Sequence, residues 1–466
     1  MAATIRLGNA FSRVEADTTV LRFLDDKLAV EVEGAFFARK ARPGWDGYWH
    51  PISPVNGVFP TGLVSRIKQL IPLAHVVDER VRPPSIPFNP NILHGVTLAD
   101  HQCESVQAIL KNVNGVIATS VSSGKTEVGI AIATHVPGLC VWVTPRRDIF
   151  HQTAERIKWR TGEKAAMIGD GCWEEIGKKK FAVVMPQTAI KAIDSFSDEI
   201  EKATVLITDE AHTTSSANTW YLFSQTIPAY FRCGLTGTPI TGDPVRDLRL
   251  EAATGPILIR MTAKQTADLG WAVPAEVNYH KISNEALHGA DYALARRLLI
   301  EENPVRNAKI CQLAIDSAHE GKKCLVICDT IRHVKIIGEV LRGEDVRARV
   351  LTGKYSSTAR MEAKKDLQTG VTNIIVLSPL WDMGVDIPEV DVVILAAGGK
   401  SAVRVVQRIG RSLRKHSGKT KAIVHDFLDL GNSYLLRHSM ARIRACKAEG
   451  FELKGAVPGS RPKVDP

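Results

Sequence analysis

The sequence predicts an α/β protein in which two tandem parallel-sheet domains follow a small α+β module. Three observations carry that expectation. Short β-branched runs recur between residues 96 and 272, each followed by a polar or helical stretch, and the alternation resumes after residue 275. Continuous apolar strands separated by helices are the pattern of parallel strands buried on both faces. Residues 1–80 differ, because stretches such as LAVEVEGAFFARK (28–40) alternate apolar and polar side chains, as a half-buried antiparallel sheet does. Between the two regions lies VRPPSIPFNPNILHG (81–95), whose four prolines read as an extended linker.

The expected strands of the first α/β domain are GVIATS (115–120), LCVWVTP (139–145), FAVVMP (181–186), TVLITDE (204–210) and CGLTGTP (233–239). Those of the second are KCLVICD (323–329), ARVLTG (348–353), NIIVLS (373–378), VDVVILAA (390–397) and KAIVHDF (421–427). Turn-rich TPITGDP (238–244) and GWAVPAE (270–276) interrupt the pattern, which places the domains at 1–80, 96–272 and 273–466.

Composition narrows the classes. With 44% hydrophobic residues over 466, real cores are expected and a disordered tail is excluded. The N-terminus has no apolar run of signal-peptide length, and VDVVILAAG (390–398) has about half the ~20 residues a membrane span requires. A soluble, cytoplasmic protein without a membrane partner is expected. Eight cysteines are scattered without a CxxC pair, which favours buried thiols over a metal site. The formal net charge of +10 points to a polyanionic partner, and it is concentrated: residues 401–466 carry 14 basic and 5 acidic residues.

The run GVIATSVSSGKTEVGIAIAT (115–134) has the order strand, small-residue loop, GKT, helix. A phosphate cradle needs that order: the helix N-terminus supplies free amides and positive dipole, and Gly124 permits close backbone approach. Lys125 would neutralise phosphate charge, and the Thr126 hydroxyl would hold Mg²⁺. TVLITDEAH (204–212) is an apolar strand ending in two acids. That places Asp209 and Glu210 at the C-terminal sheet edge, where Asp209 can coordinate Mg²⁺ and Glu210 can activate water. In QRIGRSLRK (407–415), Gln407, Arg411 and Arg414 share a helical face at i, i+4 and i+7. Guanidinium groups so placed suit a phosphoryl transition state.

In combination, ATSVSSGKT, DEAH, LTGTP and QRIGRSLR resemble the superfamily two helicases and translocases, in their DEAH-containing, XPB-like branch. The resemblance covers roughly residues 95–430, and both ends of the chain are similar to those of bacteriophage recombination helicases. It implies two RecA-like motor domains and an ATP-dependent DNA helicase that remodels forks and Holliday junctions in recombination, repair and replication and moves 3′ to 5′; a monomeric or weakly associating protein is expected, and a phage origin would place it in a bacterial host's cytoplasm. It also implies residue roles. Gln102, Ser123, Gly124, Lys125, Thr126, Gly384 and Asp386 would bind ATP. His212, Thr236 and Thr238 would couple hydrolysis to movement. Pro145, Arg146, Gln187, Thr352 and Gly353 would contact a strand. Val121 and Ser122 replace the Thr-Gly usual in this loop. The same motor serves RNA helicases and double-strand translocases. A third reading, a binding and annealing protein without turnover, is opposed by the intact motifs.

In the N-terminal module, Arg39, Lys40 and Arg42 with Trp45, Tyr48 and Trp49 combine cations with aromatic rings, a pairing that suits phosphate neutralisation and base stacking. Arg39, Lys40 and Trp49 are the expected contacts, with Trp45 the core residue. The segment LLRHSMARIRACKAEGFELK (435–454) reads as a helix with Leu436, Met440, Ile443 and Ala445 or Cys446 inward, and Arg437, Arg442, Arg444 and Lys447 outward.

Overall fold

The computed structural model describes residues 3–35, 44–191, 197–213, 218–238, 242–283, 287, 289–352, 357–378, 390–399, 401–416 and 418–457. The chain forms two compact units, one of Met1–Thr119 with Gly124–Arg260, the other of Ser120–Ser123 with Met261–Pro466.

The first unit begins with a four-stranded sheet in the order Val58–Pro60, Phe11–Glu15, Thr4–Leu7, His75–Asp78. Helix Thr18–Leu28 starts where the Asp17 carboxylate accepts from the Thr19 and Val20 amides, and it buries Leu21, Leu24 and Leu28. Of the alternating run 28–40, Val30–Glu31 pairs with Tyr48–Trp49 in a separate two-stranded ribbon, and 36–40 lies outside the described residues. The core of this module is shared: Ile5, Val14, Phe59 and Ile67 cluster with Tyr221, Leu248, Ala252 and Ala253. Gly62 makes the approach possible, since a Cβ there would overlap the carbonyl oxygens of Glu251 and Ala252. Arg66 pairs with Glu251 at 2.7 Å, and Asn9 Nδ2 donates to Pro228 O at 2.9 Å.

Residues 81–89 lack regular secondary structure, 90–95 carry turns, and the segment is strapped to the same unit. Ile86 N donates to His135 O at 3.0 Å, Asn89 N to His135 Nε2 at 3.0 Å and His94 N to Arg160 O at 2.8 Å, while Phe88 stacks on the His135 ring. The large sheet of this unit has the order Cys172–Trp173, Ala166–Gly169, Phe181–Val184, Leu139–Val143, Ala203–Asp209, Phe231–Thr236, Asn114–Thr119, Ile257–Met261. Its central pairings are parallel, as the sequence implied. Arg232 crosses its interior fully buried, donating to the carbonyls of Ala253, Ile227 and Ser224 at 2.6–2.8 Å.

The second unit holds seven parallel strands in the order Ala348–Leu351, Ile374–Leu377, Cys324–Ile327, Val392–Ile394, Ala422–Asp429, Ala275–Ile282, Glu452–Gly455. Helix Ser433–Ala448 buries Leu435, Ser439, Arg442, Ile443 and Cys446. This corrects the expectation at two positions. Leu436 is exposed, its place inside taken by Leu435, and Arg442 is buried, with Nε 2.9 Å from Asp426 Oδ2. Ile443 and Cys446 are inward as expected, and the buried face extends to Arg442 because buried Asp426 supplies its partner. All eight cysteines are unpaired and six are buried. No described helix is long and apolar enough to cross a membrane.

Two predictions follow from this packing. Gly62→Val should lower stability by ~1–3 kcal/mol, the usual cost of overpacking, read as a fall in the urea midpoint; an unchanged midpoint would show that the contact is not made. Burial lowers the pKa of His135 and pushes His333 to about 3 and His425 to about 4. Each takes up a proton near ~6.5 once unfolded, so below that pH the unfolded chain binds more protons. Stability should be full above pH 6.5 and fall steadily toward pH 4, and a urea midpoint flat from pH 7.5 to 5 would contradict this.

Candidate nucleotide site and nucleic-acid edge

Parallel strands deliver their C-terminal ends to one edge of the sheet, so the loops that follow them are neighbours in strand order. In the first unit that edge carries, in sequence of strands, Met185–Gln187 after Phe181–Val184, Pro145 and Arg146 after Leu139–Val143, the acids at the end of Ala203–Asp209, Thr236–Thr238, and the GKT loop after Asn114–Thr119. Residues expected to touch nucleic acid thus fall on one half of the edge and those expected to touch nucleotide on the other.

Helix Lys125–His135 starts at Gly124, whose φ of 78° lies in the left-handed region. A side chain at Gly124 would meet the amide of Gln102, so the strand-loop-helix turn and the Gln102 side chain are in contact. Gln102 Oε1 accepts from Ala99 N at 2.9 Å, which fixes the residue at the head of its own helix, Asp100–Asn112. Lys125 Nζ donates to Thr119 O at 2.8 Å, and Ser123 Oγ donates to Ser120 O at 2.9 Å. Ser122, where the family's loop has glycine, has φ 73°. The substitution therefore keeps a glycine backbone at a cost of about 1–2 kcal/mol. Sequence reasoning missed Glu127, in the first turn of the GKT helix, whose carboxylate receives Arg156 at 2.9 Å and Arg160 at 3.5 Å. An acid two residues past GKT, favoured there by the helix dipole, was its only signal.

Asp209 is buried and accepts from the Glu210 amide at 2.8 Å. Burial, reinforced by the adjacent Glu210 charge, pushes its pKa up to about 7, against the pull of Lys125. Glu210 itself is partly exposed and takes φ 46°, a strained conformation for a non-glycine residue. The His212 ring shares a 2.9 Å hydrogen bond between Nδ1 and Thr236 Oγ1, and Thr236 Oγ1 accepts from Thr238 N at 3.1 Å. Burial lowers the His212 pKa, against the pull of the Glu210 carboxylate 3.4 Å from Nδ1. Glu210, His212, Thr236 and Thr238 therefore form one contiguous chain of polar contacts.

Among the other expected contacts, Arg146 is engaged with Asp148 at 2.8 Å, and Gln187 is exposed. The tryptophan packed against the module's core is Trp49, where Trp45 was expected. Trp49 packs against the module's core, with its ring edge-on to Tyr221 and the Arg249 guanidinium 5.2 Å from its centroid, whereas Trp45 donates to Tyr48 O at 3.1 Å. In the second unit Thr352 follows the strand Ala348–Leu351, and Gln407 lies in helix Ala402–Ser412. That helix ends two residues before Arg414, so Arg414 does not share its face with Gln407 and Arg411. Arg408 turns inward toward Asp329 at 3.6 Å. Arg39, Lys40, Gly353, Gly384 and Asp386, and the side chain of Arg411, lie outside the described residues.

Two family profiles match the chain, "Type III restriction enzyme, res subunit" over residues 95–241 and "Helicase conserved C-terminal domain" over 305–416. A DNA 3′-5′ translocase XPB2 of Sulfurisphaera tokodaii is 26% identical over 367 residues, covering 71% of this chain and 81% of that protein. The ATP-dependent DNA helicase uvsW of Enterobacteria phage T4 is 23% identical over 483 residues, covering 94% and 96%. The chain is a superfamily two helicase related to UvsW and XPB. Family and fold class are those the sequence implied. A solved structure of the ATP-dependent Type ISP restriction-modification enzyme LlaBIII bound to DNA matches the helicase in fold, with TM-score 0.57 and 16% identity over 76% of this chain and 30% of that one. The two profile matches span the strands that carry GKT, DEAH and LTGTP, and the helix that carries Gln407. The helicase is ATP-dependent, as those matches and relatives require.

The polar chain from Glu210 to Thr238 yields a prediction. Thr236→Val removes the partner of His212 while keeping side-chain volume, and should lower unwinding at least ~10-fold more than it lowers ATPase, with Thr236→Ser near wild type. Equal loss of both activities in Thr236→Val would refute a coupling role.

Proposed function

We propose that this helicase spends ATP to move 3′ to 5′ along DNA and remodels branched substrates such as forks and Holliday junctions. The observation that carries the reading is the convergence at one sheet edge of Lys125, Asp209, Glu210 and the His212–Thr236 bond, with the expected strand contacts on the neighbouring half. The names of the two relatives support DNA as substrate, and the name of the XPB2 relative supports the direction.

In this reading the amides at the start of Lys125–His135 and the Lys125 ammonium bind the β- and γ-phosphates. Asp209 and the Thr126 hydroxyl are the groups that would hold Mg²⁺. Two hard oxygen donors fit an ion that keeps its remaining positions for water and phosphate, and a buried carboxyl whose charge is disfavoured gains by a cation beside it. When bound, Mg²⁺ offsets phosphate charge. Glu210 orients and deprotonates the attacking water, and Arg411 and Arg414 with Gln407 are the groups proposed to balance charge on the γ-phosphate. Gln102 holds the adenine side of the site.

Lys125→Ala and Glu210→Gln should each abolish DNA-stimulated ATPase, Glu210→Gln by ~10²–10⁴-fold, while DNA binding survives. Hydrolysis retained in either would overturn the assignment. Unwinding of a synthetic fork should exceed that of a plain tailed duplex, and stimulation by RNA of equal length should be weaker than by DNA. Stronger stimulation by RNA would make this an RNA helicase.

A further inference from the structure

We propose that Thr266 is a positioning residue for the phosphate loop: its hydroxyl clamps Ser120 and so holds a glycine-type turn that this sequence builds with serine. The inference rests on the reading of residues 119–126 as the phosphate loop. Ser120–Ser123 is a turn closed at Ser120 O, which accepts from Ser123 N at 3.4 Å and from Ser123 Oγ at 2.9 Å. Its third residue, Ser122, has φ 73°, and Val121 does not share the left-handed region. That sign pattern of φ is the one a type II turn has, and such a turn reserves its third position for glycine because a Cβ there is strained. Ser122 Oγ adds to the cost, being buried without a hydrogen-bond partner among the described residues. Left to itself, the turn would relax toward a conformation that serine prefers, and the amides it presents would move.

What opposes relaxation is the grip on the first residue of the turn. Ser120 N donates to Met261 O at 3.1 Å, and Ser120 Oγ lies 2.6 Å from Thr266 Oγ1, with both residues buried. Thr266 Oγ1 lies 3.0 Å from Thr262 O and Ser120 Oγ 3.3 Å from Val121 O, so either hydroxyl can supply the proton of the bond between them while the other donates to its own carbonyl. Thr262 is itself fixed, as the N-cap of Ala263–Asp268 in a reciprocal capping box with Gln265. A capped helix thus reaches through two hydroxyls into the start of the loop. Thr266 touches no nucleotide; it acts through Ser120.

Binding of a non-hydrolysable ATP analogue with Mg²⁺ to the full-length chain tests this. Thr266→Val should weaken binding about tenfold, the scale of one buried hydrogen bond, and Thr266→Ser should restore it. Ser120→Ala removes the other end of the same bond and should weaken binding by a similar factor, without adding to Thr266→Val. The decisive arm is Ser122→Gly, which removes the strain the clamp opposes: in the Thr266→Val background it should return affinity to within about twofold of wild type. Melting curves of every variant exclude unfolding as the cause. Wild-type affinity in folded Thr266→Val, or simple additivity of Thr266→Val with Ser122→Gly, would overturn the inference. If Lys125→Ala bound the analogue as wild type does, the phosphate-loop reading itself would fail. If Lys125→Ala lost binding and Thr266→Val did not, only the clamp would fall.

Discussion

The parallel pairing of the strands is the constraint from which the rest of this protein follows. A parallel strand must be covered on both faces, so each one is followed by a crossover that returns over the sheet, and every strand ends on the same side. In the first unit this brings the ends of Asn114–Thr119, Ala203–Asp209 and Phe231–Thr236 side by side, although they are far apart in sequence. The GKT loop, the two acids and the threonines of LTGTP are neighbours for that reason, before any side chain contact is considered. The side chains then act on an edge already assembled: Asp209 is held dry by the strand it ends, and the desolvation that makes its charge costly also makes it a strong partner for a cation.

Burial also changes what the basic composition means. The surplus of arginine and lysine after residue 400 suggested a positive surface, yet part of it is internal wiring. Arg442 is spent on Asp426 and Arg408 faces Asp329, while Lys421 and Lys454 both reach Glu276 and hold its carboxyl near 2. Arg306 pairs with Asp429 in the same interior. Arg232 in the first unit meets no acid and ends three carbonyl groups instead, which is why burial lowers its pKa to about 10. Guanidinium suits this use because its planar fork satisfies several acceptors at once. Net charge therefore overstates the surface available to a polyanion.

How far the sequence could be read depends on whether a residue's environment is local. Apolar runs such as LCVWV and TVLITD announce strands buried on both faces, and they stand where expected. Ala275–Ile282 was not legible, although it is paired on both sides in the second sheet, because Glu276, Asn278 and His280 break the apolar run. Their compensation comes from Lys421, Lys454 and His425, distant in sequence and invisible to periodicity. The motifs identified the nucleotide residues, since glycine, lysine and paired acids carry their chemistry in their types. Helix phase and helix ends were less secure. Arg414 matched a helical spacing that the chain abandons after Ser412, and Trp45 and Trp49 could not be told apart without Tyr221 and Arg249, which lie far along the chain.

Strain is distributed with the same logic. Four described non-glycine residues have positive φ: Val113, Ser122, Asp170 and Glu210. Three of them lie just past the C-terminal ends of parallel strands: Asp170 directly after Ala166–Gly169, Glu210 directly after Ala203–Asp209, and Ser122 three residues beyond the end of Asn114–Thr119. Such conformations persist only where surrounding contacts over-determine them. Asp170 is gripped by Arg147 and His151 at 2.8 and 2.9 Å, and Glu210 is fixed by the Asp209 carboxylate at its amide and by Thr213, whose amide donates to Glu210 O at 2.8 Å. Ser122 has no comparable bond of its own side chain, so the contacts that hold it must act through its neighbours in the turn. A loop held from one side by such contacts is rigid enough to present its amides to phosphate, yet remains responsive to whatever moves the residues that grip it.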